Sequence, residues 1–260
     1  MNCGQMSDLS IETTEDGFLG GQLRLRQPKT GHRAGHDAIL LAAATSARAG
    51  DRVVEFGAGV GAAGLVLARR VVGIDLVLVE IDAQLAALAR DNAAANAIAA
   101  RIITLDVTSP PDAFLAQGLS PDSVDVVLMN PPFNDAMRHR ASPDKGRETA
   151  HMAGPGMLDG WIHAARRILK SGGALSLIWR ADGLREVLAA LERGFGGLAI
   201  LPVHADGDKP AIRVLVRGVK GGKAPARIHL GLVLNEELAA PNKQVADILA
   251  GNLASPLARP

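Results

Sequence analysis

The most specific chemistry in this 260-residue chain lies at Asn130-Pro131-Pro132-Phe133. The turn follows the apolar run 124–129, which reads as a buried strand, and Pro131 ends that strand because proline cannot donate to a ladder. Two successive prolines fix the backbone and remove two N–H donors, so the turn presents acceptors. The Asn130 side-chain oxygen and the Pro131 carbonyl can take both hydrogens of an –NH2 group. Phe133 offers a ring face for a planar base or amide. An amine attached to a ring is a poor nucleophile because its lone pair is delocalised. Holding both hydrogens out of plane favours a pyramidal nitrogen with its lone pair aimed at an electrophile, so that positioning and electrostatics supply most of the rate.

A second constellation is Glu55-Phe56-Gly57-Ala58-Gly59-Val60-Gly61, between an apolar run and an Ala/Leu-rich segment. Glycines at a strand-to-helix turn let the backbone approach a ligand, and the helix start offers free N–H groups. Gly59, Gly61 and Gly64 satisfy the dinucleotide spacing. Glu80, followed by Ile81, ends the next strand, where it can hold a ribose. Asp106, followed by Val107, recurs just past the third strand, where a carboxylate can accept from an adenine amine. A tight turn without ligand is the alternative for the glycines; an Asx-turn or helix cap before Pro110-Pro111 is the alternative for Asp106. Taken together, the residues point to an adenosine-type cofactor, and their spacing does not separate nicotinamide from S-adenosylmethionine.

The elements that must position these residues alternate. Strands are expected at 52–56, 75–80, 101–104, 124–129, 174–179, 198–203 and 212–217, and helices at 62–70, 83–97, 158–169 and 184–191. Leu158, Trp161, Ile162, Ala165 and Leu169 share one side of the third helix. The pattern predicts an α/β fold: a Rossmann-like, doubly wound, seven-stranded, mostly parallel sheet with an antiparallel last strand. The connection before that strand has no room for a helix. Short N- and C-terminal appendages complete the layout. Residues 1–50 form an arm (an extended pair at 18–26 turning at Gly20-Gly21, then a helix at 37–48) that packs on the core. Residues 51–217 form the catalytic domain. Residues 218–260 extend it after the Lys220-Gly221-Gly222-Lys223 break, with a strand at 228–234 and a terminal helix.

Composition narrows the class. Hydrophobic residues at 48% and charged residues at 21% fit a chain with a real core. One cysteine, Cys3, cannot form an internal disulfide or a cysteine zinc site. His139 and His151 lack spaced partners, so no metal is expected. Residues 1–17 contain Asp8, Glu12, Glu15 and Asp16 and no apolar run, so they do not read as a secretory or transit peptide. No membrane span is expected, and the cytoplasm is the expected compartment. The net charge is +1, but basic residues cluster: Arg24, Arg26, Lys29 and Arg33; Arg138, Arg140, Lys145 and Arg147; Lys209, Arg213, Arg217, Lys220, Lys223 and Arg227. The first and last runs contain no acid. If the fold brings such runs together they make a surface for a polyanion; if not, they are solvated faces.

With these residues in view, the chain resembles the class I S-adenosylmethionine-dependent methyltransferases that modify amino nitrogens, on Asn130 to Phe133 and the Glu55 to Gly61 loop. The segment 31–42, GHRAGHDAILLA, is similar to that of the bacterial tRNA1(Val) adenine-N6 methyltransferase group, as are Ser142-Pro143-Asp144 through His151 and residues 209–216. The resemblance covers about 18–217. It implies S-adenosylmethionine as cofactor and RNA, tRNA above all, as partner. Gly57, Ala58, Gly59 and Gly61 would approach the methionine part, with Glu55 near its amino group. Glu80 and Ile81 would take the ribose, and Asp106 and Val107 the adenine. Asn130 and Pro131, braced by Pro132, would hold the target amine, and Phe133 would stack on the base. Arg33 and Asp37 would close over the methionine end, although Asp37 reads equally as a helix N-cap. The chain departs from the group in having no tyrosine and in losing the pattern beyond Ala240.

Alternatives remain at this point. Guanine-N2 rRNA and protein-glutamine methyltransferases use similar loops because they serve the same –NH2 group. The basic clusters favour RNA, with Arg138, Arg140, Lys145, Arg147, Lys209 and Arg213 as candidate contacts. A nicotinamide-dependent oxidoreductase leaves Asn130 to Phe133 without a role. A non-catalytic RNA-binding module leaves the same residues and the glycine loop unexplained.

Overall fold

A parallel strand covered on both faces must be apolar along its whole length, and Val53-Val54, Leu76 to Val79 and Val126 to Met129 follow that rule. In the computed structural model of the protein, which describes residues 12–31, 33–132, 156–235 and 243–258, these runs are β3 (Arg52–Phe56), β4 (Asp75–Glu80) and β6 (Val124–Met129). Their side chains alternate between two cores. Val53, Leu76, Leu78, Val126 and Leu128 face one side; Val54, Val77, Val79, Val127 and Met129 face the other. The first side is covered by α1 (His36–Ala44), α2 (Ala62–Arg70), α3 (Ala83–Ala95) and α7 (Lys243–Leu249). The second is covered by α4 (Pro111–Ala116), α5 (Met157–Ile168) and α6 (Leu184–Leu191).

With β5 (Ala100–Thr104), β7 (Leu169–Arg180), β8 (Phe195–Asp206) and β9 (Ala211–Lys220), the strand order is β5-β4-β3-β6-β7-β9-β8. The β3/β4, β4/β5, β3/β6 and β6/β7 pairs are parallel, and β9 is antiparallel to both β7 and β8. This is the doubly wound sheet with an antiparallel last strand that the sequence predicts. The order reverses between β3 and β6, and ligands of such sheets sit at the carboxyl ends beside that reversal.

The sheet is wider than seven strands. The segment expected as one strand at 228–234 is two, β10 (Arg227–Ile228) and β11 (Leu232–Asn235), both parallel to β8, which brings the sheet to nine. The α4 helix was not among the expected elements; Pro111 stands at its start, where no N–H is needed. The α1 helix stops at Ala44, not residue 48. Thr45 leaves in an extended conformation, and the Arg70 guanidinium takes the carbonyls of Ala42 at 2.9 Å and Thr45 at 2.7 Å.

The hairpin is longer than expected. β1 (Thr13–Phe18) and β2 (Leu23–Pro28) pair antiparallel around a turn at Leu19–Gly21, and Leu23 and Leu25 are buried. Two asparagines, Asn92 in α3 and Asn96 at its C-cap, dock its backbone as a neighbouring strand would. Asn92, only 1% exposed, accepts from the Arg26 N–H at 2.8 Å and donates to the Arg26 carbonyl at 3.1 Å. Asn96 does the same for Arg24, at 3.0 and 2.7 Å. Asn92 also donates to the Val60 carbonyl at 3.0 Å, so one buried amide ties the hairpin to the glycine loop.

Candidate active site

A cavity of about 1090 Å³ opens over the carboxyl ends of β3, β4, β5 and β6. Its floor is the glycine loop. Gly57 has φ 64°, and a Cβ there would lie 2.5 Å from the Trp161 ring, so the loop and α5 touch only because the residue is glycine. A side chain at Gly59 would project into open space, which leaves this part of the backbone bare toward the cavity.

Two acidic side chains hold the loop and the first turn of α2 from below. Glu80 accepts from the Gly59 N–H at 2.6 Å and, through its other oxygen, from the Asp82 N–H at 2.9 Å. Each oxygen keeps a second lone pair, so Glu80 can brace the loop and still meet hydroxyls. Glu55, 4% exposed, accepts from the Gly64 N–H at 2.7 Å. Gly64 is there because a Cβ would fall 2.6 Å from both Glu55 Oε2 and Leu78. Burial pushes the Glu55 carboxyl up to about 8; the Gly64 N–H opposes this and the nearby Glu80 charge adds to it.

At the tip of β5, Asp106 Oδ1 accepts from the Thr108 N–H at 2.7 Å and the Thr108 hydroxyl at 2.8 Å. Asp106 thus forms the Asx-type turn and lines the cavity as well; the sequence had presented these as alternatives. Val107 and Ala58 line the same wall. Ile81, 43% exposed, supplies an apolar rim suited to a flat ring.

The arm closes the near side. Gln27, 1% exposed, donates to Asp16 at 2.9 Å and accepts from the Ala34 N–H at 2.8 Å. Arg33 donates to Asp16 at 2.5 Å and Thr14 at 2.9 Å, so its guanidinium is turned toward the hairpin while the residue lines the cavity. Asp37 is not the N-cap of α1; Gly35 is. Asp37 lies in the first turn and accepts from Arg213 Nε at 3.0 Å.

Asn130 ends β6 at the far wall. Its Oδ1 is buried and has no hydrogen-bond partner among the described residues. Pro131 is buried and Pro132 exposed, both lining the cavity. An unsatisfied buried acceptor costs about 1–3 kcal/mol, so it marks a place where a donor is expected to arrive.

The structure therefore brings together Arg33, Asp37, Glu55, Gly57, Ala58, Gly59, Glu80, Ile81, Asp106, Val107, Asn130, Pro131 and Pro132. Gly61 does not line the cavity; it starts α2 in a left-handed conformation, packed against Leu78. Lys209 is paired with Asp206, and Arg213, expected on an RNA surface, is in the cavity wall. Phe133, Arg138, Arg140, Lys145 and Arg147 lie outside the described residues, as do His139 and His151. Trp161 was expected as core. It is core, edge-on to Phe56 at 6.5 Å, and cavity wall too. Gln27 and Met157 had no signal in the sequence. Among the described residues no group of three or more His, Cys, Asp or Glu could hold a metal, and no helix is long and apolar enough to cross a membrane.

The family model of the methyltransferase small domain matches residues 35–204. Several tRNA1(Val) (adenine(37)-N6)-methyltransferases are similar in sequence; that of Dyadobacter fermentans is 27% identical over 201 residues, 77% of this chain and 80% of the relative. The crystal structure of a predicted O-methyltransferase from Agrobacterium tumefaciens is 31% identical, with a TM-score of 0.70 over 84% of this chain and 98% of that one. A T. thermophilus 16S rRNA N2 guanosine methyltransferase, in complex with AdoMet and guanosine, shares the fold at 20% identity and TM-score 0.56, over 80% of this chain and 50% of that one. Sequence, fold and the cavity at the β3/β6 reversal agree, and the chain belongs to the methyltransferase small domain family of class I S-adenosylmethionine-dependent methyltransferases, alongside the tRNA1(Val) (adenine(37)-N6)-methyltransferases.

Proposed function

We propose that this methyltransferase acts on an exocyclic amino nitrogen, adenine N6 in tRNA. The observation that carries this reading is the buried, unpartnered Oδ1 of Asn130 beside a proline that has a carbonyl and no N–H. Two acceptors suit a nitrogen with two hydrogens; a hydroxyl has only one to offer. S-adenosylmethionine supplies a methyl carbon made electrophilic by a positively charged sulfur.

The residues present fit that cofactor. The bare backbone at Gly59 can be approached closely, and Glu80 and Asp106 line the cavity with carboxylates that suit a cationic ligand bearing hydroxyls and an amine, while the protonated Glu55 adds a neutral polar group. In this reading Glu80 meets the ribose hydroxyls with the lone pairs that the loop leaves over. Asp106 meets the adenine amine, with Ile81 and Val107 against the ring. Arg33 and Asp37 shape the methionine end through the arm. Asn130 and Pro131 fix the acceptor amine with its lone pair toward the methyl-bearing end, and no proton is asked of either.

The sequence similarity to tRNA methyltransferases favours adenine in tRNA. A guanine N2 amine would satisfy the same two acceptors, and a fold relative works on guanosine. Mass spectrometry of nucleosides from total tRNA and rRNA, incubated with the protein and methyl-labelled cofactor, separates the two. N6-methyladenosine in the tRNA fraction is the expected product. N2-methylguanosine in rRNA would replace the reading, and label in neither would refute it.

A further inference from the structure

A second cavity, of about 490 Å³, lies at the opposite end of the sheet, lined by His163, Arg166, Arg167, Ser171, Gly194, Lys220 and Gly221. It draws on the last turn of α5, the start of β7, the turn before β8 and the end of β9. No acidic residue lines it. Arg166 donates to the Arg193 carbonyl at 2.9 Å and lies 3.4 Å from the His163 ring. Arg167 lies 4.6 Å over the Phe114 ring and reaches the Ser109 carbonyl at 3.5 Å. Among the described residues neither arginine has a carboxylate partner, whereas Lys220 is held by Asp122 at 2.7 Å. Gly194, at φ 102°, lets Arg166 cross: a Cβ there would lie 2.6 Å from Arg166 Cδ.

The helix C-terminus accounts for basic residues at 166 and 167. It does not account for Lys220 converging from β9 with His163 around an open cleft. Two planar, multi-donor guanidiniums side by side, with no carboxylate partner among the described residues, are matched by phosphate oxygens, which take several N–H donors at once.

One element joins this cleft to the catalytic cavity. Gly156, Met157 and Trp161 at one end of α5 line the latter; His163, Arg166 and Arg167 at the other line the cleft. The ten steps from Met157 to Arg167 span about 15 Å of helix, a separation within reach of one folded RNA. We infer that the His163–Arg166–Arg167–Lys220 cleft takes a backbone phosphate of the RNA whose base is presented to Asn130. This rests on RNA being the substrate.

The test is binding of fluorescein-labelled unfractionated tRNA by anisotropy across a salt series, for the wild type, Arg166→Glu and His163→Glu. His163 is exposed, so its variant leaves the fold intact even if the first does not. Melting temperature and S-adenosylhomocysteine affinity serve as controls. Each variant is expected to weaken tRNA binding by about fivefold or more and to lower the salt slope by roughly one, with both controls unchanged. Wild-type tRNA binding and methylation that both variants leave untouched overturn the cleft assignment alone. Inorganic phosphate binding to the wild type by calorimetry, with tRNA affinity unaltered in the variants, makes it a free-anion site and overturns the RNA contact. A wild type that binds no RNA overturns both this inference and the reading beneath it.

Discussion

The residues at the carboxyl ends of β3 and β6, on two sides of the large cavity, are held to different degrees. The glycine loop after β3 is tied from several sides: Gly59 donates to Glu80, Gly64 in the first turn of α2 donates to Glu55, and Asn92 holds the Val60 carbonyl from outside. Asn130, just past β6, differs: its buried Oδ1 has no donor among the described residues. Groups satisfied within the protein hold a shape, and a group left wanting is reserved for what binds. Substitutions in the first loop should therefore cost stability and cofactor affinity together. Substitution at Asn130 should cost only turnover.

Asn130→Ala is the sharpest break. Loss of a positioned electrostatic partner typically lowers turnover on the order of 10² to 10³-fold. The melting temperature should hold or rise, because an unsatisfied acceptor has been removed. Labelled methyl transfer read beside a thermal melt checks both, and a large fall in stability would erase the distinction between the two strand ends. Glu80→Ala comes next. It leaves the Gly59 and Asp82 N–H groups without their charged acceptor, hydrogen bonds to charged groups being worth about 1.5–3 kcal/mol each. Melting temperature and S-adenosylhomocysteine affinity by calorimetry should fall together. Gly57→Ala puts a methyl into the Trp161 ring at a left-handed position, and about 1–3 kcal/mol of stability should go, measured by urea unfolding.

The glycine loop, Glu80, Asp106 and Asn130 were legible because each sits at a strand's carboxyl end, where the alternation of elements already places the ligand crevice. What reaches the cavity from elsewhere was not. Trp161 satisfies the apolar period of α5, so nothing in the sequence separates its core edge from its cavity edge. Gln27 arrives from the hairpin because Asn92 and Asn96 dock that hairpin against the loop. Charge was the weakest guide. Runs without acids in sequence are answered across the fold: Arg24 by Glu15, Lys29 by Glu12, Arg213 by Asp37, Lys220 by Asp122. Arg166 and Arg167, outside those runs, have no such answer among the described residues.

Glu55 gives the most graded effect, spread over several pH units instead of appearing at one condition. Its carboxyl titrates near 8 in the native protein against an ordinary 4.5. Between those values the folded state keeps a proton that the unfolded chain has released, so rising pH favours unfolding. The slope approaches 1.4 kcal/mol per unit and vanishes above about pH 8. In Glu55→Gln that slope should be absent from urea-unfolding free energies measured from pH 5 to 9. An unchanged slope would assign it to another group.

The amine-holding role of Asn130 is tested most directly by a crystal structure of the protein with S-adenosylhomocysteine and adenosine. The account predicts Asn130 Oδ1 and the Pro131 carbonyl each about 3 Å from the N6 nitrogen, on the side facing the cofactor sulfur. An adenine bound with its amine elsewhere, or Asn130 Oδ1 satisfied by a protein N–H while the site is filled, would contradict it.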